Sequence, residues 1–278
     1  MINNKQVGYL GPEGTFSNEA ALKVTDSKDT LVAFDNIISI FESLADHEID
    51  EAVVPIENST EGSVLVTLDA LMHYNLKIRG EFLLPIRHYL LVQKGVTIDD
   101  ITLICSHPQA IAQCRNYIHQ VNKRVHATSS TADAARYVCE LATAGVIGNK
   151  MLSRKYDLEV LDGEIQDYDN NVTRFALISH EDDFQITSND KTSIILSLHG
   201  DKPGGLYEVL SIFARESINL TKIESRPSKK GMGKYLFFID MEGHRNEPKI
   251  SHALNDVKNQ TDFFKVLGSY HQITVGGN

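Results

Sequence analysis

The sequence predicts an α/β protein: two successive α/β lobes, followed by a small βαββαβ domain. Three observations predict it. Strand and helix signals alternate through the first 179 residues. A polar, charged stretch at 180–191 then interrupts the pattern and reads as a linker. Beyond it the order strand, helix, strand, strand, helix, strand appears once, at ordinary domain size.

Val7–Leu10 reads as a short buried strand that stops at Gly11, and Ser17 is placed to cap a helix over 18–24. Leu31–Phe34 is a second strand, with Asp35 capping the next helix. That helix carries Ile37, Ile40, Phe41 and Leu44 on one face. Ala52–Ile56 is a third strand. Strands alternating with helices of this length imply βαβ units and a mostly parallel sheet. The second series begins with extended segments at 82–84 and 88–92. Strands follow at Ile101–Cys105, Val125–Ala127 and Val146–Gly148, with helices predicted over 108–120 and 132–142. Val172–Ser179 closes this half. After the linker, strands are predicted at 193–198, 220–226, 235–241 and 266–270, and helices at 204–216 and 247–257. Two helices cover one face of such a sheet. The bare face is expected to pair with a second copy, as a homodimer or homotetramer.

Composition narrows the function classes. Of 278 residues, 42% are hydrophobic and 23% charged, enough apolar material for real cores. The net charge of −10 argues against nucleic-acid binding. No run approaches the roughly 20 apolar residues of a membrane span, and the N-terminus lacks a signal-peptide pattern, so a cytoplasmic protein is expected. The three cysteines, Cys105, Cys114 and Cys139, form no CxxC pair, which predicts neither a disulfide framework nor a metal site. Cys105 and Cys139 read as small core residues and Cys114 as structural.

Polar donors recur just after strands. Gly11–Ser17 (GPEGTFS) joins a strand to a helix; its glycines let backbone approach a ligand, though a plain tight turn fits equally well. It lacks the lysine of a phosphate-binding loop. Pro55–Ser59 (PIENS) sets Glu57, Asn58 and Ser59 past a strand end, where ligands of open α/β sheets gather. Ser106–Gln113 (SHPQAIAQ) repeats that geometry, with Gln109 and Gln113 on one helical face. His107 reads as structural or peripheral. Ser129, Ser130 and Thr131 sit at a helix start, where capping is the default. In Asn171–Phe175 (NVTRF), Thr173 and Arg174 face opposite sides of an extended chain. Arg174 suits an anion or a structural carboxylate, and spacing alone does not choose. A cleft between two lobes brings these segments together most economically.

In this order, the five motifs resemble those of the prephenate dehydratases, over essentially the whole chain. The resemblance implies a catalytic domain at 1–182 with a two-lobed fold like type II periplasmic binding proteins, the second lobe at about 84–171. It implies a ferredoxin-like ACT regulatory domain at 192–273. Pro203–Leu210 (PGGLYEVL) and Glu224–Pro227 (ESRP) are similar to that domain's two ligand motifs. The implied effector is L-phenylalanine, with Gly204, Gly205, Leu206, Asn219, Leu220, Glu224, Ser225, Arg226 and Pro227 around it. The chain starts directly on the first dehydratase strand, so no mutase domain and no mutase activity are expected.

The implied reaction is the decarboxylating dehydration of prephenate to phenylpyruvate in L-phenylalanine biosynthesis, needing no cofactor and no metal. Thr173 is the implied hydroxyl beside the leaving group. Asn58, Ser106 and Gln113 are expected to bind or orient substrate, with Glu57 positioning them. Gly11, Gly14, Thr15, Phe16, Ser59, Ser130, Thr131, Arg174 and Phe175 are the expected substrate contacts. Some members carry a glutamate where Ser129 stands, so that glutamate's role does not transfer. Arogenate dehydratase and a non-enzymatic ligand sensor are the alternatives.

Overall fold

The structure is a computed structural model that describes residues 4–183, 185–200, 202–228 and 235–273. Met1, Ile2 and Asn3 of the expected catalytic segment and Phe184 of the expected linker lie outside the described residues.

The first lobe opens with β1 (Gln6–Leu10), α1 (Phe16–Val24), β2 (Thr30–Phe34), α2 (Ile37–Ala45) and β3 (Glu51–Asn58). It continues with β4 (Gly62–Ser63), α3 (Leu65–His73) and β5 (Lys77–Pro85). The chain then crosses into a second lobe: β6 (Tyr89–Val92), β7 (Leu103–Ser106), α4 (Pro108–Gln113), α5 (Arg115–Val121) and β8 (Arg124–Ala127). That lobe ends with α6 (Thr131–Glu140), β9 (Ala144–Gly148), α7 (Met151–Tyr156) and β10 (Glu159–Gly163). A return crossing leads to β11 (Val172–Ser179) in the first lobe. The final domain holds β12 (Asp190–Leu198), α8 (Gly205–Arg215), β13 (Leu220–Pro227), β14 (Tyr235–Glu242), α9 (Pro248–Asn259) and β15 (Thr261–Gln272).

The first-lobe sheet has the order β5-β11-β3-β1-β2, and the second-lobe sheet the order β10-β6-β9-β7-β8. Each is parallel through its βαβ units, and the strands next to the crossings run antiparallel. The two-sheet, two-lobed plan expected from the sequence is present. So is the antiparallel four-stranded order β13-β14-β12-β15 of a ferredoxin-like domain. No helix among the described residues is long and apolar enough to cross a membrane.

One expectation about the last domain is corrected. Helices α8 and α9 cover one sheet face, where Val209, Ile212, Phe213, Ile250 and Val257 are buried. The opposite face is not bare. Ile195, Leu236, Phe238, Leu267 and Tyr270 pack into the same core as Ile40, Leu68 and Leu71 of the first lobe. Burial of each such side chain contributes roughly 1.5–3 kcal/mol, so that face is already filled within one chain. The sheets are also joined: β15 pairs parallel with β5 at His271 and Gln272, opposite Gly80 and Glu81. The linker is likewise anchored. Asp182 is buried, pairs with Arg245 and accepts from the Ser269 amide.

Local corrections follow from the same chemistry. Thr15 caps α1 and Asn36 caps α2, in place of Ser17 and Asp35, because their side-chain oxygens reach the first-turn amides of Asn18 and Ser39. The helix expected over 108–120 breaks at Cys114, whose ψ of 29° leaves the helical region. Cys139 is exposed, on the outer side of α6. Cys105 and Cys114 are buried, and burial pushes their thiols up to about 11 and about 12, so neither supplies a thiolate nucleophile near neutral pH.

Candidate active site

The two lobes enclose a hollow of about 450 Å³, within the range of small-molecule sites. From the first lobe, Gly11, Thr15, Phe16, Asn58, Thr173 and Phe175 line it. From the second, Gln109, Gln113, Ser129, Ser130 and Thr131 do so, together with His107. Thr173 and Asn58 meet because they are cross-strand partners of β11 and β3, and partners in register share a sheet face.

A hydrogen-bonded chain fixes the orientation of the polar groups. Asn58 Oδ1 accepts from the amides of Thr60 (2.9 Å) and Glu61 (3.1 Å) and from the Thr60 hydroxyl (2.7 Å). An amide N–H only donates, so this atom is the oxygen and the other end of Asn58 is the NH₂. Asn58 Nδ2 donates to Thr173 Oγ1 (2.9 Å) and Asn171 Oδ1 (2.8 Å). Asn171 Nδ2 in turn donates to Gln113 Oε1 (3.0 Å), which also takes a hydrogen bond from His88 Nε2 (2.9 Å). Thr173 therefore accepts from Asn58 and keeps its own hydrogen to donate. Gln113 likewise keeps its NH₂. All five side chains are at least nine-tenths buried, so each bond is protected from competing water.

The electrostatics of the hollow suit an anion without a cationic side chain. Among the described residues, Asp35 is the one carboxylate that lines it, and no Lys or Arg does. Positive potential comes instead from the N-terminal ends of α1, capped by Thr15, and α6, capped by Ser130. His107 caps α4 through Nδ1, which accepts from the Gln109 amide, and burial lowers its pKa, so the ring is neutral.

Five expected site residues lie elsewhere. Ser106 is fully buried and donates to the Ile147 carbonyl at 2.6 Å, because β7 and β9 are adjacent strands. Glu57 does not position Asn58: β3 runs on through Asn58, so the pleat turns Glu57 to the other face. There it pairs with Lys222 and Arg174. Arg174 is not among the residues that line the hollow. It lies between Glu81 (3.1 Å) and Asp240 (2.7 Å), and although burial opposes its charge, Asp240 and Glu81 hold its pKa raised. Ser59 pins the start of β11 through the Asn170 carbonyl and the Val172 amide. Gly14 forms the turn inside the loop with φ +96° and donates to Asn18 Oδ1. His88 and Asn171 belong to this hydrogen-bonded chain, and sequence reasoning left both unassigned. Asn171 was visible as the first residue of its motif. His88 carried no signal, since its partner Gln113 is 25 residues away.

The expected effector segments lie on the last domain. Gly204, in the left-handed region, precedes α8, whose first residues are Gly205 and Leu206. Asn219 bonds Glu242, and Leu220 opens β13. Glu224 and Arg226 are turned toward the first lobe: Glu224 accepts from Ser63, and Arg226 meets Asp69 and the Leu65 carbonyl. Ser225 and Pro227 take the exposed side of the strand.

Comparison with known proteins decides the family. The sequence profile described as prephenate dehydratase matches residues 7–183, and that of the ACT domain matches 192–259. The chain belongs to the prephenate dehydratase family. A prephenate dehydratase from Methanocaldococcus jannaschii is 44% identical over 96% of this chain and 98% of its own. Arogenate dehydratase 2 of Petunia hybrida is 38% identical over 95% of this chain and 71% of its own. Among solved structures, prephenate dehydratase from Arthrobacter aurescens in complex with L-Phe superposes with a TM-score of 0.87, at 35% identity over 98% of this chain and 93% of that one. A quorum-quenching acylase, GqqA, superposes at 0.88 with 25% identity, over 97% and 98%. The family reaction is a lyase reaction of phenylalanine biosynthesis that converts prephenate to phenylpyruvate.

Proposed function

We propose that the hollow between the lobes is where prephenate loses CO₂ and water, with Thr173 as the donor to the departing oxygen. The carrying observation is the hydrogen-bond direction: Asn58 Nδ2 occupies a lone pair of Thr173 Oγ1 and leaves the threonine hydrogen free. In the reaction the bond between ring and carboxylate carbon breaks and its electrons enter the ring. The C–O bond to the ring hydroxyl breaks, and that oxygen leaves as water once protonated. Aromatisation drives the process, so the residues need only position the substrate and assist the leaving group. A placed donor of this kind supplies roughly 10²–10⁴-fold.

Gln113, through its free NH₂, and the first-turn amides of α1 and α6 hold substrate oxygens. The lack of a Lys or Arg among the described lining residues suits the chemistry: a carboxylate clamped by Arg or Lys resists leaving as neutral CO₂. In this proposal residues 1–182 form the catalytic domain and 192–273 the regulatory domain, and the protein works in the cytoplasm. L-Phenylalanine is the effector, and it binds near Gly204–Leu206 and Asn219–Pro227. Strand β13 pairs only with β14 among the described residues, so its free edge is where a second copy joins. That replaces the filled sheet face as the route to a homodimer or homotetramer.

The test is direct. Purified protein incubated with prephenate forms phenylpyruvate, followed by its absorbance, and added L-phenylalanine slows it. Absence of phenylpyruvate sinks the reading. A second reading, arogenate as substrate, has Asp35 at the rim in its favour, a carboxylate suited to an amine. Parallel kinetics on arogenate and prephenate decide between them.

A further inference from the structure

We infer that His88 is a positioning residue for this reaction: paired with Asn171, it locks the Gln113 carboxamide so that its NH₂ faces the substrate. The inference deepens the proposal above and rests on Gln113 being a substrate ligand. His88 lies in the crossing from β5 to β6, and Asn171 ends the return crossing into β11. Each belongs to one of the two segments that join the lobes, and Gln113 sits at the end of α4 in the second lobe.

The carboxamide of a glutamine has two nearly isosteric ends. An unrestrained Gln113 would present oxygen or nitrogen to the hollow, and an oxygen turned toward an anionic substrate repels it. Two donors meet at Gln113 Oε1, Asn171 Nδ2 at 3.0 Å and His88 Nε2 at 2.9 Å. Flipping the amide would place its NH₂ against both donors and break both bonds. The polarity of the Asn171 bond is inherited from the Thr60 and Glu61 amides through Asn58. The same order assigns the His88 tautomer. Gln113 Oε1 can only accept, so Nε2 carries the hydrogen.

The surroundings hold this histidine neutral and still. Burial lowers its pKa, against the opposing bond to Gln113. Its backbone amide donates to Gln166 Oε1 at 3.0 Å. Phe16, at the start of α1, packs edge-on against the ring with centroids 5.2 Å apart. His88 is 1% exposed although it borders the hollow, and its Nε2 hydrogen is spent on Gln113, so it acts through that carboxamide.

The experiment is a double-mutant cycle on the full-length protein. His88→Phe keeps an aromatic ring in the site and removes the donor. We expect kcat/KM to fall about tenfold, the scale of one lost buried hydrogen bond. His88→Gln, which keeps an NH₂ donor at similar reach, should recover most of the loss, whereas His88→Asn, which falls short, should not. In a Gln113→Ala background, His88→Phe should change kcat/KM less than about twofold, because a residue acting through Gln113 has nothing left to act on. Asn171→Asp should also lower activity, since a carboxylate accepts from Asn58 but cannot donate to Gln113. Near-normal activity of His88→Phe, or an equal loss in both backgrounds, overturns the inference. If His88→Phe does not fold, the Gln and Asn variants at the same position decide: equal activities of the two reject it. Normal turnover by Gln113→Ala would instead remove Gln113 from the site, which is a failure of the functional reading itself.

Discussion

Arg174 Nη1 lies 2.7 Å from Asp240 Oδ2, and this contact ties the strand that carries Thr173 to the ACT domain. Thr173 and Arg174 are neighbours on β11, one facing the hollow and the other the ACT sheet. Glu81, Lys191, Glu57 and Lys222 complete a mostly buried ionic cluster behind the strand. Removing one partner of a buried pair costs about 3–5 kcal/mol, because the other charge is left unpaired. Asp240→Asn is therefore expected to lower the denaturation midpoint clearly. It should also weaken L-phenylalanine inhibition while leaving KM for prephenate near its original value. Urea denaturation and inhibitor titration check both parts. A variant with unchanged inhibition would separate this cluster from regulation.

Thr173→Val keeps the shape of the side chain and removes the hydroxyl hydrogen that Asn58 leaves free. Turnover should fall by more than about tenfold, at the low end of donor effects, with KM largely kept. Thr173→Ser should retain most of the rate, since its hydroxyl accepts from Asn58 in the same way. Steady-state kinetics on the two variants measure the contrast. Equal rates for valine and serine would remove Thr173 from the chemistry.

Most of the fold was legible because its signals are local. The apolar face of α2 and the apolar run of β11 are written in neighbouring residues, and the 180–191 break in composition marks where the last domain begins. What the sequence hid was contact between distant segments. Nothing in Glu57, Ser106 or Arg174 says that a polar side chain after a strand will turn away from the cleft. Each was drawn off by a partner from another element: Lys222, the Ile147 carbonyl and Asp240. His88 was missed for the converse reason, a buried histidine whose use depends on Gln113. The face of the ACT sheet was misjudged because helical covering of one side says nothing about what a preceding domain does to the other. Side-chain direction in the site was legible only once backbone donors at Thr60 and Glu61 fixed one amide.

Gly268 sets how closely the two domains approach. A Cβ built there would fall on the carbonyl oxygen of Ile78 in β5, a backbone atom that cannot step aside alone. Gly268→Ala should push β15 away from β5 and disrupt the continuous sheet, at roughly 1–3 kcal/mol as for an overpacked core position. Denaturant unfolding quantifies the loss, and limited proteolysis in the 180–191 segment should accelerate as the anchoring loosens. An alanine variant as stable as the parent would mean the sheets can part without cost.

Lys265 gives the domain contact a pH dependence. From β15 it donates to the carbonyls of Leu71, Met72 and Tyr74 at the C-terminal end of α3, at 2.7, 3.3 and 2.6 Å. Burial first, then the nearby Lys77 charge, lowers its pKa to about 8 from the 10.5 of a free lysine. Between those values the unfolded chain binds more protons than the folded one, so stability from this group rises with pH across the window from about 8 to 10.5. Below pH 8 the folded protein carries a charge it holds less comfortably than water does. Lys265→Met removes this contribution. The difference in unfolding free energy, wild type minus variant, should therefore climb between pH 8 and pH 10.5 and stay flat below about 7. Urea unfolding at four or five pH values in each protein tests it. A constant difference over that window would show that Lys265 titrates as an ordinary surface amine, and a falling one that its pKa is raised by the fold; either overturns the prediction.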